Sequence, residues 1–272
     1  MTNGKWAARL ERAADLASEH TFAAEALRFY IRITEYQQTL ASFFDTRCGA
    51  ARKFRAPGTL RQELDLSVLL PHLGPFLSLV ESCAPSALAQ SARELREGAA
   101  THQEEILTEF WRADADAPSA AVSPAEPLLC RIFLQPYAEY LAEHTEHPPF
   151  DGTSLRCPLC SGKPQAGILR PEGDGAKRWL LCSLCASEWE FRRIVCPACG
   201  EEDAQKLAVY TTGDIGHMRV EACDTCRHYI KTVDLTQNGR AVPVVDELAM
   251  IPLDLWATEH GYRKIQTNVL GL

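Results

Sequence analysis

The stretch RWLLCSLCASEWEFRRIVCPACG, Arg178–Gly200, carries two cysteine pairs of the form C-x-x-C, Cys182/Cys185 and Cys196/Cys199. Two more pairs flank it, Cys157/Cys160 in CPLC and Cys223/Cys226 in CDTC. Eight of the 11 cysteines therefore fall in four copies of one motif. A two-residue gap lets both sulfurs of a tight turn face one ion, while backbone N–H groups of the turn stabilise the thiolates; this is the zinc-ribbon knuckle. One knuckle supplies half a tetrahedron. Between Cys160 and Cys182 lie 21 residues, and between Cys199 and Cys223 lie 23, enough in each case for a hairpin that sets a second knuckle opposite the first. Only 10 residues separate Cys185 from Cys196, and EWEFRRIV within them reads as a strand leading from one module into the next. The internal repeat pairs first with second and third with fourth; counting alone leaves the interleaved pairing open.

The expected centres are thus Cys157, Cys160, Cys182 and Cys185 for one ion, and Cys196, Cys199, Cys223 and Cys226 for another. A four-thiolate site suits zinc or iron, and spacing does not choose between them. It leaves no position open for activated water, so hydrolytic metal catalysis is disfavoured. A thioredoxin-like dithiol needs a βαβ unit, and none is legible here. Small β modules commonly use such ions as structural staples.

Around the knuckles, short segments rich in β-branched or aromatic residues predict strands at Arg178–Cys182, Glu188–Val195, Lys206–Tyr210, His217–Ala222 and Tyr229–Leu235. Trp179, Trp189 and Phe191 are expected to fill the small cores, and His217 and His228 to be satisfied surface or core histidines. Upstream, from Lys5 to about Glu146, apolar residues recur at helical spacing, as in Phe22, Ala26, Phe29, Ile33 and Tyr36. Five or six helices are expected, including one over Ser86–Arg112 with a Ser cap and one over Pro127–His144 kinked at Pro136. Ala113–Pro127 reads as a loop, and HTEHPPFDGTS, His144–Ser154, as the break between domains. Val245–Tyr262 returns to a helical pattern interrupted by Pro252 and is expected to pack back on the first domain. The fold class is α+β: a helical domain over 1–150, one four-cysteine ribbon over 151–195, and a second over 196–272 with a short C-terminal helix. Cys48, Cys83 and Cys130 share no spacing and read as small core hydrophobes.

With 272 residues, 46% hydrophobic and 24% charged, the chain has the composition of an ordinary globular protein. Its formal net charge is −8, and residues 151–272 carry 14 Lys+Arg against 16 Asp+Glu. That balance argues against nucleic-acid or anionic-membrane partners, and for a protein or small ligand. Charges run through Met1–His20, where a secretory signal needs an apolar core. The apolar run Leu66–Val80 is broken by Pro71, Gly74 and Pro75 and falls short of a membrane span. A cytoplasmic protein without stable membrane insertion is expected. In a reducing compartment the cysteines then call for metal rather than disulfides. No phosphate loop or nucleophile elbow is present, and nothing in the sequence sets the oligomeric state.

Taken together, Arg178–Gly200, the following C-x-x-C with Tyr229 and Lys231 shortly after it, and the acidic VVDELAMIPLDLWATEHGY resemble the formate dehydrogenase accessory protein FdhE family. The specific part runs from about Arg156 to Tyr262. The resemblance implies a cytoplasmic, non-catalytic maturation factor that binds the catalytic subunit of respiratory formate dehydrogenase before export. It implies rubredoxin-like knuckles that bind iron, two ions per chain, carried over to the eight cysteines above. Where the family continues a Leu-rich helix after its acidic turn, this chain has Pro252. Two other readings compete. A rubredoxin-like electron carrier or iron-delivery protein requires redox-active iron; a zinc-ribbon nucleic-acid-binding protein requires a clustered basic face.

Overall fold

A computed structural model describes residues 2–48, 60–113, 125–145, 152–213 and 215–272. The expected loop Ala113–Pro127 and the expected domain break lie largely outside them. Six α-helices come first: α1 Thr2–Glu19, α2 Ala24–Cys48, α3 Leu66–Cys83, α4 Ser86–Glu97, α5 Ala100–Arg112 and α6 Ala125–Glu143. The single helix expected over Ser86–Arg112 is two, parted at Gly98, where the backbone turns extended. Ser86 does not cap it; Pro85 holds the cap position without a side-chain bond. In α3 the two prolines do not break the helix, because both are exposed and the carbonyls they free face water. The helix is therefore 18 residues long, and by length and composition it meets the minimum for crossing a membrane. Leu69, Leu73, Phe76, Leu77 and Val80 pack into the core along one side of it.

Helix α6 is the centre of this half, buried continuously from Ile132 to Ala142. Such an all-round buried helix has to satisfy its polar groups internally. Pro136 cannot donate to the carbonyl of Ile132, and Gln37 from α2 takes its place, donating Nε2 to that oxygen at 2.8 Å. Arg9 of α1 meets the buried Glu139 through two hydrogen bonds, 2.9 and 3.1 Å. A bidentate pair of this kind holds α1 on α6 in one orientation.

Downstream come β1 Pro164–Glu172, β2 Gly175–Cys182, β3 Glu188–Glu190, β4 Leu207–Thr211, β5 Met218–Cys223, β6 His228–Asp234, α7 Pro243–Ala249, α8 Ile251–Glu259 and β7 Arg263–Lys264. β1 was not legible in advance, and the strand expected over Glu188–Val195 stops after three residues. The two modules are not separate sheets. They fuse into one seven-stranded sheet of order β3-β2-β1-β6-β5-β4, with β7 paired to β6. The hairpins β1–β2, β2–β3, β4–β5 and β5–β6 run antiparallel; the join, β1 on β6, is parallel, as is the short pair β6–β7. Gly167 permits it: a Cβ there would lie 2.3 Å from Oγ1 of Thr232, its partner across the join.

The C-terminal segment does return to the helical half, as two short helices. Pro252 opens α8 at its first turn, where its missing N–H costs nothing. The buried Asp246 of α7 accepts from Arg12 of α1 at 2.5 and 3.0 Å and bonds His217 at 2.9 Å. Beneath α7 and α8, the fully buried Lys231 of β6 meets Glu247 at 3.0 Å and Asp254 at 2.6 Å. Burial opposes ionisation of Glu247, but Lys231 and Lys264 hold its carboxyl down at about 2.

Candidate metal centres

Each knuckle is shaped by its backbone before any ion is considered. In the first, Cys157 N–H donates to Gly162 O at 2.9 Å, and Ser161 N–H donates back to Cys157 O at 2.8 Å. In the third, Cys196 N–H donates to Glu201 O and Gly200 N–H to Cys196 O, at 2.8 and 2.9 Å. The residue after the second cysteine is left-handed in all four: Ser161 at φ 57°, Ala186 at 51°, Gly200 at 79° and Arg227 at 58°. Only one is glycine, so three knuckles carry a strained residue that the surrounding bonds hold in place.

The sulfurs group as the repeat predicts. Cys157, Cys160, Cys182 and Cys185 form one set, and Cys196, Cys199, Cys223 and Cys226 the other, each within 4.8 Å of one another. Across the knuckles, Cys157–Cys185 and Cys160–Cys182 are 3.6 and 3.3 Å apart, Cys196–Cys226 and Cys199–Cys223 3.7 and 3.8 Å. Tetrahedral thiolates about 2.3 Å from an ion sit about 3.8 Å from each other, so the donor sets fit zinc or iron. Each set could hold one ion.

Four thiols this close cannot all ionise alone. The neighbouring sulfurs Cys160, Cys182 and Cys185, and then burial, push the Cys157 thiol well above its ordinary value. Burial takes Cys196 up to about 11. Cys223 goes the other way: burial opposes it, but backbone N–H groups of Cys226 and Thr225 pull its thiol down. A cation supplies the missing charge and displaces the remaining protons. Two further donors aim at sulfur, the N–H of Leu184 at Cys182 and that of Ala198 at Cys196, both 3.4 Å.

The two sets differ in setting. The first is wholly buried, each cysteine at most 3% exposed. Arg61, from the helical half, donates to the carbonyl of Cys160 at 2.7 Å and to that of Trp111 at 2.8 Å, tying knuckle to helices. Burial lowers Arg131 to about 10, while the nearby Cys182 acts to raise it. In the second set Cys199 is exposed and Cys226 half-buried. Its clasp is Glu201, which accepts from Thr225 Oγ1 at 2.6 Å; that bond and the N–H of Asp203 hold the partly buried carboxyl down at about 2.

Gly162 is a site residue that spacing did not reveal. A Cβ on it would lie 3.0 and 3.1 Å from the sulfurs of Cys182 and Cys160. A glycine two places after a knuckle was the available signal. Trp189 and Phe191 are core residues, as expected, and His228 is bonded to Cys226 O. Cys130 is buried and Cys83 partly so, while the side chain of Cys48 lies outside the described residues.

Known proteins resemble the chain in the same regions. The model of the FdhE central domain matches residues 156–193, and that of the FdhE C-terminal domain residues 194–270. A Pseudomonas aeruginosa protein named FdhE homolog is 29% identical over 97% of this chain and 89% of its own length. The Aquifex aeolicus FdhE homolog is 32% identical over 51% of this chain, and the match spans 50% of that relative. The crystal structure of the FdhE protein from Pseudomonas aeruginosa superposes with a TM-score of 0.72 at 25% identity, covering 98% of this chain and 96% of that one. The similarity thus takes in the helical half and both cysteine sets, and the chain belongs to the FdhE family.

Proposed function

We propose that this protein is a cytoplasmic, non-catalytic accessory factor for the maturation of a respiratory formate dehydrogenase, engaging that enzyme's catalytic subunit before export. Family membership over the whole chain is the observation that carries this reading. In the same proposal, Cys157, Cys160, Cys182 and Cys185 ligate one ion and Cys196, Cys199, Cys223 and Cys226 a second, with iron favoured over zinc. Both sets use four protein thiolates and keep no position for substrate, which supports a binding or sensing role over catalysis. Residues 1–150 act as the helical domain, 151–195 and 196–272 as the two metal modules.

The test is complementation. A bacterium deprived of its own FdhE protein should regain formate dehydrogenase activity with this chain, and the catalytic subunit should co-purify with it. Restored activity without co-purification would leave maturation standing and sink direct binding; no restoration would overturn the proposal. Metal analysis of protein purified without oxygen decides the ion: two irons with thiolate charge-transfer absorption, or two colourless zincs.

The exposure of Cys199 favours a second reading for the second set alone, a rubredoxin-like electron-transfer or iron-delivery centre. Electrons cross efficiently only where a centre approaches the surface. Reversible bleaching of that site by a reductant supports this reading, and zinc at the site excludes it.

A further inference from the structure

The two edges of the sheet are built differently. At one end β3 is only three residues, Glu188–Glu190, with a carboxylate at each end, which is how native edges are kept from pairing with other chains. At the other end β4, LAVYT, has no charge, no proline and no bulge. Its pairing with β5 sets the direction of its amides. Asp224 N–H donates to Lys206 O, so in this antiparallel ladder Ala208 and Tyr210 face β5, while Val209 and Thr211 turn their N–H and C=O groups outward. Among the described residues no backbone or side-chain group meets those of Val209 and Thr211.

Apolar surface collects along this edge. Phe22, Ile194 and Val209 are 51, 58 and 54% exposed, three of the four most exposed large apolar side chains among the described residues. They line two grooves, one on each face of β4. The first, about 390 Å³, is bounded by Arg193, Ile194, Leu207, Val209 and Arg219. The second, about 740 Å³, is bounded by Phe22, Tyr210, Ile215, Pro252 and Trp256, and among the described residues that line it there is no Asp, Glu, Lys or Arg. An open strand with a groove on either face suits an added strand, whose side chains alternate between faces.

Charge selects the occupant. In the first groove Glu221 is already matched by Arg178 and Arg219, each at 2.5 Å, and among the described residues Arg193 has no carboxylate partner. Four thiolates with a divalent ion at the groove's end would bring this rim from positive to about neutral. On a chain of net charge −8, a neutral rim carrying an arginine with no carboxylate partner among the described residues does not repel a carboxylate. A second copy would bring another −8 and another Arg193 to the same edge.

We propose that β4 is a docking strand for an extended segment of a different polypeptide, which adds to the sheet edge. Its apolar residues at alternate positions enter the Trp256 groove, and an acidic residue on its other face meets Arg193. This holds whichever enzyme the protein serves.

The probe is a fluorescein-labelled ten-residue peptide alternating leucine with glutamate and threonine, titrated with the intact, metal-loaded chain and followed by anisotropy. Saturable binding is expected, and none at millimolar concentration overturns the proposal. N-methylating one alternate set of peptide amides should abolish binding and methylating the other should not. Equal sensitivity of both sets excludes strand addition whatever any protein variant does. Val209→Pro removes an outward N–H and trims the groove lining while leaving the ladder bonds to β5 in place, and should weaken binding about tenfold with the circular dichroism unchanged. Phe22→Ser and Ile194→Ser should each weaken it several-fold. Lysine in place of glutamate in the peptide should also weaken binding; equal affinity removes the acidic element. Sedimentation showing a dimer of the chain alone that Val209→Pro dissolves would assign the edge to a second copy and overturn the proposal.

Discussion

The two cysteine sets are built from one motif, yet they stand in opposite surroundings. The first lies at the seam between helices and sheet, with Arg61 on its backbone and no cysteine more than 3% exposed. The second lies at the outer part of the sheet, with Cys199 in solvent and a clasp made by the partly buried Glu201. Identical local chemistry thus serves two purposes: the first set is part of what joins the two halves of the molecule, and the second is available from outside.

The sharpest way to break this comparison is to remove one thiol from each set. Cys160→Ser should cost the whole chain on the order of 5 kcal/mol, because losing a structural ion there opens the seam. Cys199→Ser should lose one ion and leave the unfolding of the helical half nearly unchanged. Metal content with thermal unfolding followed at 222 nm checks both, and equal destabilisation would show that the second set is as integral as the first. Next in size is Gly162→Ala, which pushes a Cβ against two sulfurs. About 2 kcal/mol of stability and weakened binding at the first site are expected. In the second set Gly200→Ala, at the position that matches Ser161, is crowded by nothing nearer than 4.0 Å and should cost only the left-handed strain, about 1 kcal/mol.

A chromophoric chelator should strip the second site at least about tenfold faster than the first, a difference near 1.4 kcal/mol in barrier. Absorption stopped-flow would resolve two phases, and Cys199→Ser should delete the fast one. A single phase would mean that exposure does not govern release. The smallest effect is a gain. Ala186→Gly relieves a left-handed alanine at φ 51° in the buried set and should stabilise by up to about 1 kcal/mol, measured by denaturant midpoint at unchanged slope.

Much of this was legible because it is local. A C-x-x-C pair contains all the residues needed to form its knuckle, so four copies announce four knuckles, and the repeat with its hairpin-length gaps favours the tandem pairing. Helical periodicity likewise marked the first half, although Gly98 split a helix that spacing read as one. β1 escaped notice because PQAGILRPE holds two prolines and a glycine, all poor strand formers, and is a strand only because β2 and β6 flank it. The strand expected through Arg192–Val195 failed for the opposite reason: its residues suit a strand, but no neighbour continues the ladder.

By itself, then, the amino-acid order determined the class of fold and the eight sulfurs, and favoured their tandem grouping, since each depends on residues close in the chain or on a repeat; the structure chose that grouping over the interleaved one. Only the tertiary structure decided that two ribbons share one sheet, that one centre is buried and the other open, and which edge of the sheet is unguarded. Those outcomes rest on partners far apart in sequence, Gly167 with Thr232, Arg61 with Cys160, Arg12 with Asp246. Burial is a property of what covers a residue, and no local spacing encodes what will cover it.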